Sequence, residues 1–225
     1  MLSKIKKILN KLNKKTKIII LVALLVITIT ITIILLTKNG TLTVFIKNPE
    51  GTEIKDEFEK LNNQLSEDGR EYPEVKLPSD NILKYTTIED VLNILNTGGD
   101  EVIYFGYPTC IYCRNAIQVL VDTAKKTSLD VIYYLELEET NPKYSELADA
   151  LGEELTIEED GKKKVYLPLV IFITDGKVIS YNKGTLFSQE DPYKKLDDSQ
   201  VKGLSEIYRY GINDVISSKI LKKGK

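Results

Sequence analysis

Cys110 and Cys113 are the only cysteines of the 225-residue chain, and just Ile111 and Tyr112 separate them. At the start of a helix, two thiols at this spacing can close a small disulfide ring without distorting the helix. The unpaired backbone N–H groups of a helix N-terminus stabilise a thiolate at the first cysteine. The pattern therefore predicts thiol–disulfide exchange, in which Cys110 attacks and Cys113 resolves the mixed disulfide.

Two other interpretations of the cysteine pair stay open. One is a metal or thiol-carrier site, although zinc takes about four ligands and the chain has no histidine and no third cysteine. The other is a pair of small buried apolar side chains in a non-catalytic module. No metal site is predicted, and the redox interpretation needs no cofactor because the cysteine pair is itself the redox group.

The N-terminal part of the chain predicts attachment to a membrane. Residues 18–37 contain no charge and are long enough to cross a hydrocarbon core of about 30 Å. The seven lysines of residues 1–17, with no acidic residue among them, predict a cytoplasmic N-terminus. Two alternatives stay open, a cleaved signal peptide and a buried helix, although no small-residue cleavage site follows the long apolar run.

The charge distribution bears on the partners of the chain. Of the 31 basic residues, seven precede the apolar run, whereas all 33 acidic residues follow it. The part that folds beyond residue 37 is therefore acidic, which argues against a nucleic-acid partner. An extracytoplasmic compartment would tolerate the disulfide that the cysteine pair predicts.

The elements that must position the cysteines follow a β-α-β-α-β-α-β-β-α pattern. It predicts an α/β domain over 80–225 with a mixed central sheet, helices on both faces, and the cysteines after a central strand. Thr109 is the predicted N-cap of a helix that carries both cysteines. The predicted strands are 82–85, 101–107, 130–137, 169–174 and 177–182, and the predicted helices are 87–95, 109–126, 142–151 and 199–221.

Two further segments are predicted to lie outside this pattern. Residues 38–79 form an extracytoplasmic linker with a short amphipathic helix at 53–67, since Gly69, Pro73 and Pro78 interrupt the periodicity. Residues 152–164 are highly charged and predict a solvated surface insertion, with partner docking as the alternative.

Two stretches of the chain resemble the thioredoxin superfamily. The run from Val102 to Arg114, V-I-Y-F-G-Y-P-T-C-I-Y-C-R, resembles its active-site strand, turn and helix. A later stretch is similar to the part of that family in which a cis-proline precedes a strand, a hairpin and a glycine. Its residues are the run 166–172, which contains Leu167 and Pro168, the run 175–178 (D-G-K-V), and Gly184. The resemblance covers roughly 80–222 and is strongest to small membrane-anchored thioredoxin-like proteins, including bacteriocin transport accessory proteins.

The resemblance implies a function and roles for particular residues. It implies a thiol–disulfide oxidoreductase whose substrates are cysteine-containing exported proteins or peptides and which exchanges electrons with a further thiol protein. Pro168 would be cis and face the cysteines, the backbone of Leu167 would pair with an extended substrate, and Ile111 and Tyr112 would tune the thiolate. A trans, strand-starting Pro168 is the alternative, as is an accessory module that assists peptide export without turnover.

The chain differs from the family pattern at two positions, and a third residue, Arg114, has two possible interpretations. Tyr104 stands where thioredoxins carry a buried acid that serves proton transfer, and its ordinary pKa near 10 makes it a poor base. Thr109 replaces the tryptophan common before the first cysteine. Arg114, directly after the second cysteine, is predicted to be solvated, with a field at the thiolate as the alternative.

Overall fold

The structure, a computed structural model, describes Thr16 and residues 48–224. The predicted anchor at residues 18–37 lies outside these residues, and so does the basic segment 1–17 apart from Thr16. Among the described residues, no helix is both long and apolar enough to cross a membrane. The anchor therefore stays a prediction from the sequence.

Strands and helices alternate through the described residues. The strands are β1 (Leu83–Tyr85), β2 (Glu101–Gly106), β3 (Ile132–Glu136), β4 (Thr156–Glu159), β5 (Lys162–Val165), β6 (Leu169–Thr174) and β7 (Lys177–Lys183). The helices are α1 (Pro49–Glu59), α2 (Ile88–Thr97), α3 (Ile111–Ala124), α4 (Tyr144–Leu151) and α5 (Asp198–Lys223).

A five-stranded mixed sheet forms the centre, in the order β1-β3-β2-β6-β7. The pairs β1–β3 and β2–β3 are parallel, whereas β6 runs antiparallel to both β2 and β7. β2 is the middle strand, and its residues from Val102 to Gly106 are buried, because strands covered on both faces are apolar almost throughout. The predicted mixed central sheet is confirmed.

Helices cover both faces of this sheet, as the sequence predicts. On one face, Val102 and Tyr104 of β2 belong to a buried cluster with side chains of α1, α3 and α5. On the other face, Ile103 and Phe105 belong to a second cluster with side chains of α2 and α4. The alternation follows from the two-residue period of a strand, and it places α3, the helix after the cysteine turn, against the middle of the sheet.

Residues 48–79 pack into this domain and thereby differ from the predicted linker. Ile54 and Phe58 of α1 are fully buried, and so is Val75 from the irregular segment that follows. All three belong to the cluster that contains the buried side chains of α3. The predicted helix at 53–67 begins earlier, at Pro49, and ends earlier, at Glu59. Proline suits the first turn of a helix, where its missing N–H costs nothing.

The charged insertion contains a hairpin that the sequence does not predict. β4 and β5 pair antiparallel as a separate two-stranded sheet, with Glu158 opposite Lys163 and Glu159 opposite Lys162. Opposite charges across a strand pair stabilise each other modestly. The base of the hairpin is fixed to α4, since the N–H of Val165 donates to the Tyr144 hydroxyl at 2.9 Å.

Candidate active site

Cys110 and Cys113 form a disulfide directly after the middle strand of the sheet, with their Cα atoms 5.1 Å apart. A turn links β2 to α3, and the N–H of Cys110 donates to the carbonyl of Tyr107 at 3.2 Å within it. Cys110 is partly exposed, whereas Cys113 is fully buried. The structure thus places the two sulfurs differently with respect to solvent, so that a partner molecule can reach Cys110 first.

The predicted N-cap at Thr109 is wrong by one residue. Cys110 is the N-cap of α3, because its Sγ accepts the N–H of Cys113 at 3.2 Å, and only Cys113 lies within the helix. Thr109 is exposed in the preceding turn. The sulfur of Cys110 therefore sits at the unpaired N–H groups of the first helical turn, where a negative charge is stabilised.

Tyr104 lies beneath the inner cysteine. Its side chain is fully buried in β2, and its hydroxyl donates to the carbonyl oxygen of Cys113 at 2.8 Å. Burial raises the pKa of Tyr104 well above its ordinary value, so the hydroxyl is neutral and acts as a donor rather than a base. A Cβ at Gly106 would lie 2.8 Å from this hydroxyl and 3.1 Å from the Sγ of Cys113, which explains the glycine.

Leu167 and Pro168 lie directly before β6. The peptide bond between them is cis, as the resemblance implies. Pro168 is buried and Leu167 partly exposed, and the carbonyl of Pro168 accepts the N–H of Gly184 at 2.7 Å. Within residues 48–224, neither the N–H nor the carbonyl of Leu167 has a backbone partner. Both groups are free to pair with another chain.

A cleft joins Tyr112 to Leu167. It has a volume of about 310 Å³, and Tyr166, Lys183 and Phe187 also line it. The ammonium of Lys183 lies 5.8 Å from the ring centroid of Tyr166. Phe187 is fully exposed. Tyr112 and Leu167 are residues that the resemblance implies, whereas Lys183 and Phe187 are not predicted from the sequence. The only signal for Phe187 is an aromatic residue in a largely polar loop.

Arg114 is buried, and the prediction that it is solvated is wrong. Its side chain is fully inaccessible, and its N–H groups donate to the carbonyls of Phe58, Pro73 and Pro108 and to Asn62 Oδ1. Burial lowers the pKa of the Arg114 guanidinium to about 10, which leaves it charged at neutral pH. The segment before residue 80 supplies most of these acceptors, and its packing could not be seen in the sequence near the cysteines.

In the described part of the chain, no further metal ligands are grouped with the two cysteines. No group of three or more cysteine, aspartate or glutamate side chains is arranged there to hold a metal ion. The site has one disulfide between a partly exposed and a fully buried cysteine, a neutral hydroxyl at the inner cysteine, and a fixed positive charge beside the turn.

Comparison with models of protein families finds none that matches this chain, and comparison with curated proteins finds no significant match. The basis for a functional proposal is therefore the sequence resemblance together with the geometry around the cysteine pair.

Proposed function

We propose that this chain is a thiol–disulfide oxidoreductase of thioredoxin-like fold that acts on cysteines of exported proteins or peptides. The observation that carries the proposal is the disulfide between a partly exposed Cys110 and a fully buried Cys113 at the N-terminus of α3. A disulfide that only stabilised the fold would gain little here, because a loop closed over three residues removes little entropy from the unfolded chain.

The architecture supports the thioredoxin-like part of this proposal. Setting aside the β4–β5 hairpin, the elements from β1 to α5 follow the order β-α-β-α-β-α-β-β-α. The cysteine turn follows the middle strand, and a cis-proline precedes β6, which is the neighbour of that strand in the sheet. These are the features that the sequence resemblance implies for residues 80–222.

Reduction of a substrate would proceed by two exchanges. The Cys110 thiolate attacks one sulfur of a substrate disulfide, forms an S–S bond with it and expels the other substrate sulfur as a thiolate, which takes up a proton. The Cys113 thiol then loses its proton and attacks the Cys110 sulfur, so that the second substrate thiol leaves. Two electrons pass to the substrate, and the protein ends in the disulfide form. Oxidation of a substrate dithiol is the same sequence in reverse.

The surroundings of the cysteines fit these roles. The N-terminal end of α3 stabilises a thiolate at Cys110. The unpaired backbone groups of Leu167 suit an extended substrate segment. The neighbouring cleft, with Tyr112 and Phe187, would hold the side chains of that segment. A second thiol protein must restore the starting redox state after each turnover.

The place of action is also part of the proposal. Residues 18–37 would anchor the chain in the cell membrane with the N-terminus in the cytoplasm, and the described domain would work on the extracytoplasmic side. Exported proteins and peptides are the cysteine-bearing substrates that such a position offers.

One observation favours the alternative, a non-catalytic module that assists peptide export. Within the described residues, no carboxylate makes a hydrogen bond near Cys113, and Tyr104 is a neutral donor where the thioredoxin superfamily has an acid. Resolution of the mixed disulfide would then depend on water or a substrate group for proton transfer. A module without turnover needs no such group.

The two functions are separated by trapping experiments on the full-length chain in detergent. With a peptide that contains one disulfide, the reduced wild type should open the peptide disulfide and become oxidised. Cys113→Ser should accumulate a covalent complex with the peptide through Cys110, and Cys110→Ser should form none. Absence of exchange by the wild type, or equal trapping by both variants, would contradict the oxidoreductase.

A further inference from the structure

Arg114 is a buried charge that has no counter-charge. Among the described residues, no carboxylate lies within salt-bridge distance of its guanidinium, although twelve other contacts between charged groups meet that criterion. Buried charged side chains are normally paired, because taking a charge out of water is costly. The unpaired charge at Arg114 therefore needs an explanation.

Neutral oxygens hold this guanidinium in place. Nε donates to the carbonyl of Pro73 at 2.7 Å, Nη1 to those of Phe58 at 2.8 Å and Pro108 at 3.2 Å, and Nη2 to Asn62 Oδ1 at 2.7 Å. Such dipoles satisfy the N–H groups without cancelling the net charge. The positive charge of Arg114 is thus kept in a low-dielectric environment, where its field reaches farther than in water.

The location of Arg114 directs that field at the cysteine turn. Arg114 directly follows Cys113, and long side chains in a helix point back toward its N-terminus. Its bond to Pro108 ties it to the turn that carries Cys110, two residues farther on. Its backbone N–H also donates to the carbonyl of Cys110 at 3.1 Å. The charge adds to the effect of the helix N-terminus, which has the same sign.

We propose that Arg114 is a positioning residue for the redox reaction: its permanent charge, fixed beside the turn by the segment 58–73, stabilises the Cys110 thiolate and so raises the reduction potential of the Cys110–Cys113 pair. The inference rests on the proposed function. It also gives the segment before residue 80 a role. That segment supplies neutral acceptors instead of a carboxylate, so the positive charge of Arg114 is not neutralised.

Asn62 provides a way to cancel the charge without removing Arg114. Its Oδ1 accepts from Arg114 and from the N–H of Val75, and its Nδ2 donates to the carbonyl of Val75 at 2.7 Å. Asn62→Asp would set a carboxylate beside the guanidinium and lose the bond to the Val75 carbonyl. Asn62→Ala adds no charge but loses that bond and both bonds to Oδ1. The wild type keeps the Oδ1 bonds, so the effect of the added charge is the change that Asn62→Asp shows relative to both Asn62→Ala and the wild type.

The test compares four variants of the full-length chain in detergent with the wild type: Arg114→Gln, Arg114→Lys, Asn62→Asp and Asn62→Ala. Two quantities are measured, the equilibrium constant with glutathione and the pH profile of alkylation at Cys110 in the reduced chain. A single charge at close range in a medium of intermediate dielectric shifts an ionisation constant by about tenfold. Asn62→Asp should therefore raise the midpoint of the Cys110 profile by about one pH unit relative to Asn62→Ala.

The same change should appear in the redox equilibrium. Asn62→Asp relative to Asn62→Ala, and Arg114→Gln relative to Arg114→Lys, should each make the disulfide about tenfold harder to reduce, equivalent to a potential about 30 mV lower. If Arg114→Gln does not fold, the Asn62 pair decides alone. Equal values within each pair, with a measurable potential in the wild type, would overturn the role of Arg114 but not the proposed function. A wild type without a reversible disulfide would overturn both.

Discussion

Tyr104 shows at the scale of a single residue how this site differs from the one that its sequence resembles. The thioredoxin superfamily has a buried acid at this position, whereas here a fully buried hydroxyl donates to the carbonyl of Cys113. Because burial raises the pKa of Tyr104 well above its ordinary value, it does not titrate near neutral pH. We infer that Tyr104 fixes the first turn of α3 and takes no part in proton transfer.

The first prediction concerns this hydroxyl. Tyr104→Phe should lower the free energy of unfolding by about 1 kcal/mol, since one buried hydrogen bond is lost, and should leave the pH profile of Cys110 alkylation unchanged. Tyr134→Phe is the matched control, because the Tyr134 ring stacks on that of Tyr104 and its buried hydroxyl has no partner in the described part. Denaturant unfolding of the oxidised chain measures the free energy of unfolding of both variants, and alkylation of the reduced chain measures the pH profile of Cys110. A shifted alkylation profile in Tyr104→Phe would contradict its assignment as a structural donor.

The sequence predicts the residues of the site better than their surroundings. The spacing of Cys110 and Cys113 predicts a disulfide, and the resemblance implies a cis bond before Pro168; the structure has both. The roles of these three residues in a reaction stay predictions. The solvation of Arg114 was predicted wrongly because its acceptors are remote in sequence, with Phe58 56 positions away and Pro73 41 positions away. Local patterns contain no information about such contacts.

Among the helices and strands, the long C-terminal helix α5 can pack closely on the sheet because a glycine stands where the two meet. A Cβ at Gly211 would lie 2.6 Å from Cδ1 of Phe172 and in contact with Cγ and Cδ2 of the same ring. Phe172 belongs to β6 and is fully buried. The helix therefore packs directly on the strand that follows the cis-proline.

The second prediction compares two glycines of this helix. Gly211→Ala should lower the free energy of unfolding by about 1–3 kcal/mol, because the added methyl group would force the fully buried ring of Phe172 to shift. Gly203→Ala meets only the end of the Leu186 side chain, at 3.2 Å. It should leave stability unchanged or raise it by up to about 1 kcal/mol through helix propensity. Equal effects of the two substitutions in urea unfolding would show that α5 does not pack as described.

The sequence predicts the bounds of strands and helices closely where they have an apolar pattern, and it does not predict the strands that lack one. The predicted strand 169–174 matches β6, whose residues through Ile173 are all buried. The hairpin of β4 and β5 is rich in glutamate and lysine, so it has no apolar alternation from which strands could be predicted. Leu61 and Leu65 continue the apolar periodicity and so predict a helix that extends beyond Glu59, where α1 ends, although Leu65 is exposed.

At the scale of the whole molecule, the segment 48–79 is part of the fold rather than a tether. Phe58 packs edge-to-face on Tyr134 of β3 with the ring centroids 5.9 Å apart. The Nδ2 of Asn48 donates to the carbonyl of Leu83 in β1 at 2.7 Å. The segment thus joins the edge of the sheet to the cysteine helix and supplies the acceptors for Arg114.

The third prediction tests this integration. Phe58→Ala should lower the free energy of unfolding by about 3–5 kcal/mol, as for other large-to-small changes in a core. Leu65→Ala, in the same segment but with 64% of its surface exposed, should have little effect. Unfolding of the full-length chain in denaturant measures both variants. If Phe58→Ala lowers the free energy of unfolding no more than Leu65→Ala does, the segment does not pack into the core.

The fourth prediction concerns acid stability and rests on Asp100 at the end of the sheet. Burial raises the pKa of Asp100, but hydrogen bonds from Lys222 and from the N–H of Asp175 outweigh it and hold the pKa below its ordinary value. A depressed pKa stabilises the fold above the unfolded value of about 3.9, and this contribution is lost as pH falls through the folded pKa.

Asp100→Asn should therefore be less stable than the wild type at pH 7, and the difference should shrink as the pH falls below about 4. Asp130→Asn is the control, because Asp130 is exposed and makes no hydrogen bond or ion pair among the described residues. Thermal unfolding between pH 2 and 7 measures the effect. A constant difference at every pH would mean that the charge of Asp100 does not contribute.

The redox equilibrium of the Cys110–Cys113 pair in the full-length chain decides whether the protein is a thiol–disulfide oxidoreductase. The chain is equilibrated in detergent with glutathione or dithiothreitol buffers, and the fraction of disulfide is measured by thiol labelling. We expect one reversible two-electron transition at a potential between about −270 and about −120 mV, and we expect it to be absent in Cys110→Ser. If the pair cannot be reduced and reoxidised reversibly in this range, the protein is not a thiol–disulfide oxidoreductase.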